Sequence, residues 1–195
     1  GTAYDSTKNK LNGTPKGGRV SEMKAAPGIV GTSRANLVAA DGNYTSLQDV
    51  RAYISINNYN SLKLGNVFTI SGWFKADHIY GYSRIFSRRN GSGDNDGWEV
   101  ELNNNSATSF KFRGAGGTGK DQTVTLPDIR QDWLYITAVY NGTSIKVYAN
   151  GELKHTGTIT AATDNGRPLS FGNDSNGDER SFFGWYDEIR LTGGP

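Results

Sequence analysis

The sequence predicts an all-β protein built as a two-sheet antiparallel sandwich. Three observations carry that prediction. Polar and apolar residues alternate with period two, or gather in short apolar runs, while helical periodicity is almost absent along the 195 residues. Glycine fills 26 positions, nearly twice the usual ~7%, which suits short strands joined by tight turns. Aromatic residues make up 11% of the chain, a level that disordered chains do not reach.

The elements follow in order. The segment from Ala35 to Ala40 is short and apolar, closely bounded by Gly31 and Gly42. Val50 to Ile56 carries β-branched and aromatic residues and reads as a strand. Asn66 to Ala76 places Phe68, Ile70, Gly72 and Phe74 on one face and Thr69, Ser71, Trp73 and Lys75 on the other. Ser83–Arg88, Gly97–Asn103, Ser109–Arg113 and Gln122–Leu126 continue the series. Trp133 to Asn141 alternates most clearly, and Ser144–Ala149 follows it. Asn150-Gly151 then marks a hairpin, because a type I′ turn needs two positive φ angles that Asn and Gly tolerate. Leu169–Gly172 and Phe182–Thr192 complete roughly a dozen strands at a spacing typical of sandwiches. No linker, Pro-rich stretch or internal repeat interrupts them, so one domain over residues 1–195 is expected. Its start at Gly1, with Met23 as the single methionine, reads as a mature or excised fragment of a larger chain.

Composition removes several function classes. Without cysteine there is no disulfide, thiolate metal site or catalytic thiol. A formal net charge of +2 lacks the basic footprint of a nucleic-acid binder. No apolar run has the length of a membrane-spanning helix, so membrane insertion is not expected.

Several segments line up in a recognisable order: YDSTKNKLNGT, GIVGTSRANLVAADG, FTISGWFKAD, DWLYITAVYNGTSIKVYANGELKHTG, PLSFGN and FFGWYDEIRL. The blocks at Trp133–Leu153 and Gly184–Arg190 are the most specific. In this order the chain resembles the laminin G-like, concanavalin A-like jelly-roll domains of secreted and surface proteins, mostly bacterial. The resemblance implies a lectin/glucanase-type jelly roll, a secreted or cell-surface location and, for many such domains, carbohydrate binding or adhesion. It also implies a structural calcium between the N-terminal segment and the final strand, which points to Asp5 and Asp187.

The residues themselves offer calcium other places. Asp174, Asn176 and Asp178 alternate in GNDSNGDER, a spacing that lets a loop wrap oxygens around a hard cation. A second acidic loop supplies Asp94, Asn95 and Asp96. Solvated Asx turns are the plain alternative for both loops.

For catalysis the sequence offers only Glu99 and Glu101, which share a strand face at a separation compatible with glycoside hydrolysis. Laminarinase-type hydrolases of this jelly roll carry three acidic residues at alternate positions, but position 103 here is Asn103. Two solvent-facing strand glutamates are therefore expected, and no catalytic residue is assigned. His155 is expected at the surface of a hairpin strand.

A lectin site needs exposed aromatics that stack on sugar rings, beside amides and charges that bind hydroxyls. The turn HIYGYSR supplies His78, Tyr80, Tyr82 and Arg84, and GSGDNDGW supplies Trp98. These two loops flank one strand and so belong at opposite ends of it. The Asp174–Phe182 loop is a competing partner for the tyrosine turn. Trp73, Trp133 and Trp185 sit inside strand patterns and are expected to pack between or against the sheets. The resulting expectation is a non-catalytic, extracytoplasmic, carbohydrate-binding module. An adhesion or spacer domain contacting protein is the second reading, and a hydrolase or lyase the third.

Overall fold

The computed structural model describes residues 2–17, 23–36, 52–57, 64–89, 97–114, 121–159, 166–174 and 180–194. Among these there is no helix, and the strands form a two-sheet jelly-roll sandwich. Seven strands make the first sheet. In spatial order they are β1 (Thr14–Lys16), β4 (Tyr53–Ile56), β13 (Leu169–Phe171), β6 (Arg84–Ser87), β7 (Glu99–Leu102), β8 (Ser109–Arg113) and β9 (Gln122–Thr125). Seven make the second: β12 (Glu152–Thr158), β11 (Ser144–Ala149), β10 (Leu134–Asn141), β5 (Val67–His78), β14 (Phe183–Gly193), β3 (Thr32–Asn36) and β2 (Lys24–Pro27). Every strand pair is antiparallel.

Period-two alternation sets which face each strand buries. In β5, Phe68, Ile70 and Phe74 point into the sandwich, and β10 adds Leu134, Ile136, Ala138 and Tyr140 opposite them in register. The first sheet answers with Val100 and Leu102 of β7, Phe110 and Phe112 of β8 and Phe86 of β6. Phe74 meets Phe86 edge-on at 5.1 Å and Tyr186 at 6.2 Å, the offset geometry that ring quadrupoles favour. The predicted hairpin at Asn150-Gly151 forms with φ of 51° and 84° at its two residues.

Two expectations change and a third, that the tryptophans pack between or against the sheets, is met by the second alternative. Strands β1, β2 and β3 arise where the sequence shows no alternation, and residues 37–51 lie outside the described residues. Trp73, Trp133 and Trp185 are half-buried on the outer side of the second sheet, because their neighbours in sequence take the core. His155 is half-buried at the margin between the sheets, where its Nε2 lies 2.9 Å from Gln122 Oε1 of β9.

Candidate functional site

Strand β5 ends at His78 and the chain crosses to the first sheet through the turn Ile79–Ser83. Gly81 adopts φ 57°, which an L side chain rarely tolerates, and this folds the two tyrosines back on themselves. Ser83 closes the turn by donating to the Tyr80 carbonyl at 3.2 Å. The β7–β8 turn locks onto it: Asn105 N–H donates to Gly81 O at 2.7 Å, and Gly81 N–H donates to the Asn105 side-chain oxygen. His78, Tyr80, Tyr82 and Asn105 thereby gather at one end of the sandwich. His78 and Asn105 are exposed, Tyr80 is 50% exposed and Tyr82 is half-buried.

Beneath this rim lies a charge network on the outer face of the first sheet. A β-bulge at Ile85 sets Arg84 opposite Glu101 while Phe86 stays over Val100 in the core. The Arg84 guanidinium pairs with Glu99 at 2.9 Å and approaches Glu101 at 3.9 Å, and its Nη1 binds Asp174. Arg113 clamps the same glutamates from β8, at 3.0 Å to Glu99 and 2.6 Å to Glu101. Arg180 reaches Glu101 Oε2 at 3.5 Å. Arg84, Glu99, Glu101 and Asp174 are fully buried. Desolvation pushes the Glu99 pKa up despite the opposing pull of Arg84.

The network corrects two expectations. Glu99 and Glu101 are not solvent-facing, because alternation turns them to an outer face roofed by guanidiniums. Arg84 cannot meet a surface ligand, since its own carboxylate partners enclose it. Trp98 is also withdrawn from any ligand surface. It is 1% exposed and packs against Phe68 at 4.7 Å and Tyr140 at 6.2 Å, at the end of β5 remote from His78. Indole area of that size is worth more in the core than at a rim.

What replaces them at the rim are two cations. The Lys111 ammonium lies 5.3 Å from the Tyr82 ring centre and the Arg180 guanidinium 5.0 Å from it. Arg180 belongs to the Asp174–Phe182 loop, the competing partner of the tyrosine turn. Lys111 had a legible signal in the sequence, as it alternates outward between Phe110 and Phe112.

The acidic candidates that are described each have partners of their own. Asp5 accepts from Thr7 N at 2.8 Å and Leu11 N at 2.7 Å within its own loop. Desolvation raises its pKa, but these donors outweigh that and leave it below the ordinary value. Asp187 accepts from Val30 N at 2.8 Å and Glu188 N at 3.0 Å, tying the β2–β3 turn to β14. Asp174 is committed to Arg84. Asp94, Asn95, Asp96, Asn176 and Asp178 lie outside the described residues. Among the described residues no three metal-ligating side chains come together.

With this geometry in place, the relationship to known proteins can be read. The laminin G-type sequence profile of the concanavalin A-like lectin/glucanases superfamily matches residues 48–194. The chain belongs to that superfamily. The match takes in β4 to β14, and with them the whole rim and charge network, whereas β1 to β3 precede it. Within the superfamily fold, this chain is similar to domain 4 of AbnA, a GH43 extracellular arabinanase from Geobacillus stearothermophilus solved with arabinotriose. The two are 20% identical, over 98% of this chain and 87% of that one, with a TM-score of 0.67. It is also similar to botulinum neurotoxin type C, from a study of its interaction with two ganglioside molecules, at 14% identity over 98% of this chain and 45% of that one, TM-score 0.66. The receptor-binding domain of botulinum neurotoxin type G gives 13% identity, coverage of 99% and 47%, and a TM-score of 0.63. This chain spans about half the length of those two toxin chains. No curated protein sequence matches it. Among the described residues no helix is long and apolar enough to cross a membrane.

Proposed function

We propose that this chain is a non-catalytic carbohydrate-binding module of an extracytoplasmic protein, and that it holds glycan at the rim of Tyr80, Tyr82, Asn105, Lys111 and Arg180. The observation that carries the reading is the juxtaposition at one sandwich end of an exposed tyrosine, amide groups and two cations. Aromatic faces stack on the C–H face of a sugar, and amides and cations take its hydroxyls. Superfamily membership supports it, as do the arabinotriose and ganglioside named with two structures of this fold. The location is supported by the extracellular arabinanase among them.

Hydrolysis has little to work with here. A general acid must reach the glycosidic oxygen, but Glu99 and Glu101 are buried and each is bound by Arg84 and Arg113. Buried ion-pair networks shift pKa values without catalysis, so the raised Glu99 pKa is a consequence of burial. This reading does not require calcium, and a structural calcium ion would be a separate property, tested by whether chelator lowers the melting point and added calcium restores it. A protein-contacting role has one observation in its favour, Ile29 and Val30 at 45% and 58% exposure in the β2–β3 turn.

Retention on immobilised polysaccharides tests the proposal. The folded protein is expected to be retarded by at least one glycan in a broad panel, and Tyr80→Ala with Tyr82→Ala to abolish that retardation. Silence across the panel, or retention unaffected by the double variant, overturns it.

A further inference from the structure

Resting on that reading, we infer that the rim is selective for sugars that carry an acidic group, with Lys111 and Arg180 forming its anion subsite on Tyr82. Two cations stand within 5.3 Å of one phenol ring. The ring quadrupole stabilises each cation only in part. An anionic group at the rim would supply the counter-charge that the ring does not.

The neighbouring carboxylates do not fill this role. Glu101 lies opposite Lys111 in the β7–β8 register, yet it is turned under by Arg113 and Arg84. Among the described residues no carboxylate lies within ion-pair distance of the Lys111 ammonium. Among the described residues Arg180 meets a carboxylate at 3.5 Å, that of Glu101, and keeps 25% of its side-chain surface exposed. Around the site the carboxylates Glu99, Glu101, Asp121 and Asp174 face the guanidiniums Arg84, Arg89, Arg113 and Arg180. The buried pairs also fix one donor: Glu101 holds Arg180 from below, and the Arg180 carbonyl accepts from Arg84 N at 2.8 Å. Donors held in place before the ligand arrives lose little entropy when it binds.

The test compares ligands that differ only in charge. Oligogalacturonate and its methyl ester share one sugar skeleton, and dextran sulfate and dextran share another. By calorimetry in low salt, at least one acidic form is expected to bind about tenfold tighter than its neutral counterpart, as two partly exposed ion pairs would give. The gap is expected to shrink as added salt shortens the screening length. The two arms tell a carboxylate preference from a sulfate preference.

Lys111→Met with Arg180→Met is expected to erase the gap, and Lys111→Glu, which sets a negative charge beside the retained Arg180, to erase it as well. Lys8→Gln with Lys146→Gln removes the same net charge from exposed positions elsewhere and is expected to preserve it. Circular dichroism establishes that each variant folds. Binding without preference for the charged form overturns this inference and leaves the carbohydrate reading intact. So does a preference that survives the rim variants or vanishes in the Lys8/Lys146 control. If no glycan in either pair or in the wider panel binds, both fall together.

Discussion

At the scale of single residues, Arg84 shows what the buried network demands. Its guanidinium has no solvent and faces Glu99, Glu101 and Asp174. Removing one partner of such a cluster strands the others in a medium that cannot hydrate them. Arg84→Met is therefore expected to cost about 3–5 kcal/mol of folding stability. Glu99→Gln is expected to cost less, because desolvation already works against the Glu99 charge and raises its pKa. The pH dependence follows from that direction. Folded Glu99 keeps its proton above the ordinary value of 4.5, where the unfolded chain has released it. Its contribution to stability is greatest below 4.5 and is lost as pH rises through the folded value. Urea midpoints of the wild type should accordingly fall more steeply as pH rises above 4.5 than those of Glu99→Gln. Parallel curves for the two proteins would show that Glu99 does not titrate as its burial dictates.

At the scale of elements, β14 holds the second sheet together, and Gly184 sets how closely it can approach β5. A Cβ at Gly184 would stand 2.1 Å from the Lys75 carbonyl oxygen and 3.0 Å from Ala76 Cα, both main-chain atoms of the neighbouring strand. Gly72, on β5 itself, would meet Ile189 Cδ1 at 2.5 Å and the buried Phe74 ring at 3.0 Å, side-chain atoms rather than main chain. Gly184→Ala must push the ladder apart and is expected to cost about 2–3 kcal/mol, read as a melting point lower by roughly 5–10 °C. Gly72→Ala displaces side chains only and is expected to cost less, about 1 kcal/mol. Equal melting points for the two variants would refute this account of the β5–β14 contact. Elements such as β5, β10 and the Asn150-Gly151 hairpin were legible because alternation and turn chemistry are local. Strands β1 to β3 were not. KAAP carries no period, and β3 is placed by pairing with Trp185, some 150 residues away. The bulge at Ile85 was equally hidden, since a one-residue register slip leaves no mark on composition.

At the scale of the whole molecule, the two outer faces diverge in chemistry, and this locates the binding surface. The first sheet carries its ion network outward and ends in the tyrosine rim. The second displays Trp73 and Tyr135 side by side at 5.0 Å. That pair is the obvious rival platform for a sugar, and its aromatic residues were visible in the sequence. Its rings, however, are inclined by 51°, so they offer no common plane, and the Tyr135 hydroxyl already donates to Ser71 at 3.0 Å. The rim is the reverse case. Only its tyrosines stood together in the sequence, whereas Lys111 and Arg180 reach Tyr82 from a different strand and a different loop once the sheet has formed. Glycan binding is therefore expected to survive Trp73→Ala and to disappear with Tyr82→Ala, both proteins having first been shown folded by circular dichroism. Loss confined to Trp73→Ala would move the site to the second sheet. The sandwich would stand unchanged, but its recognition surface would then be the face whose rings are tilted apart, and the two cations on Tyr82 would need another purpose.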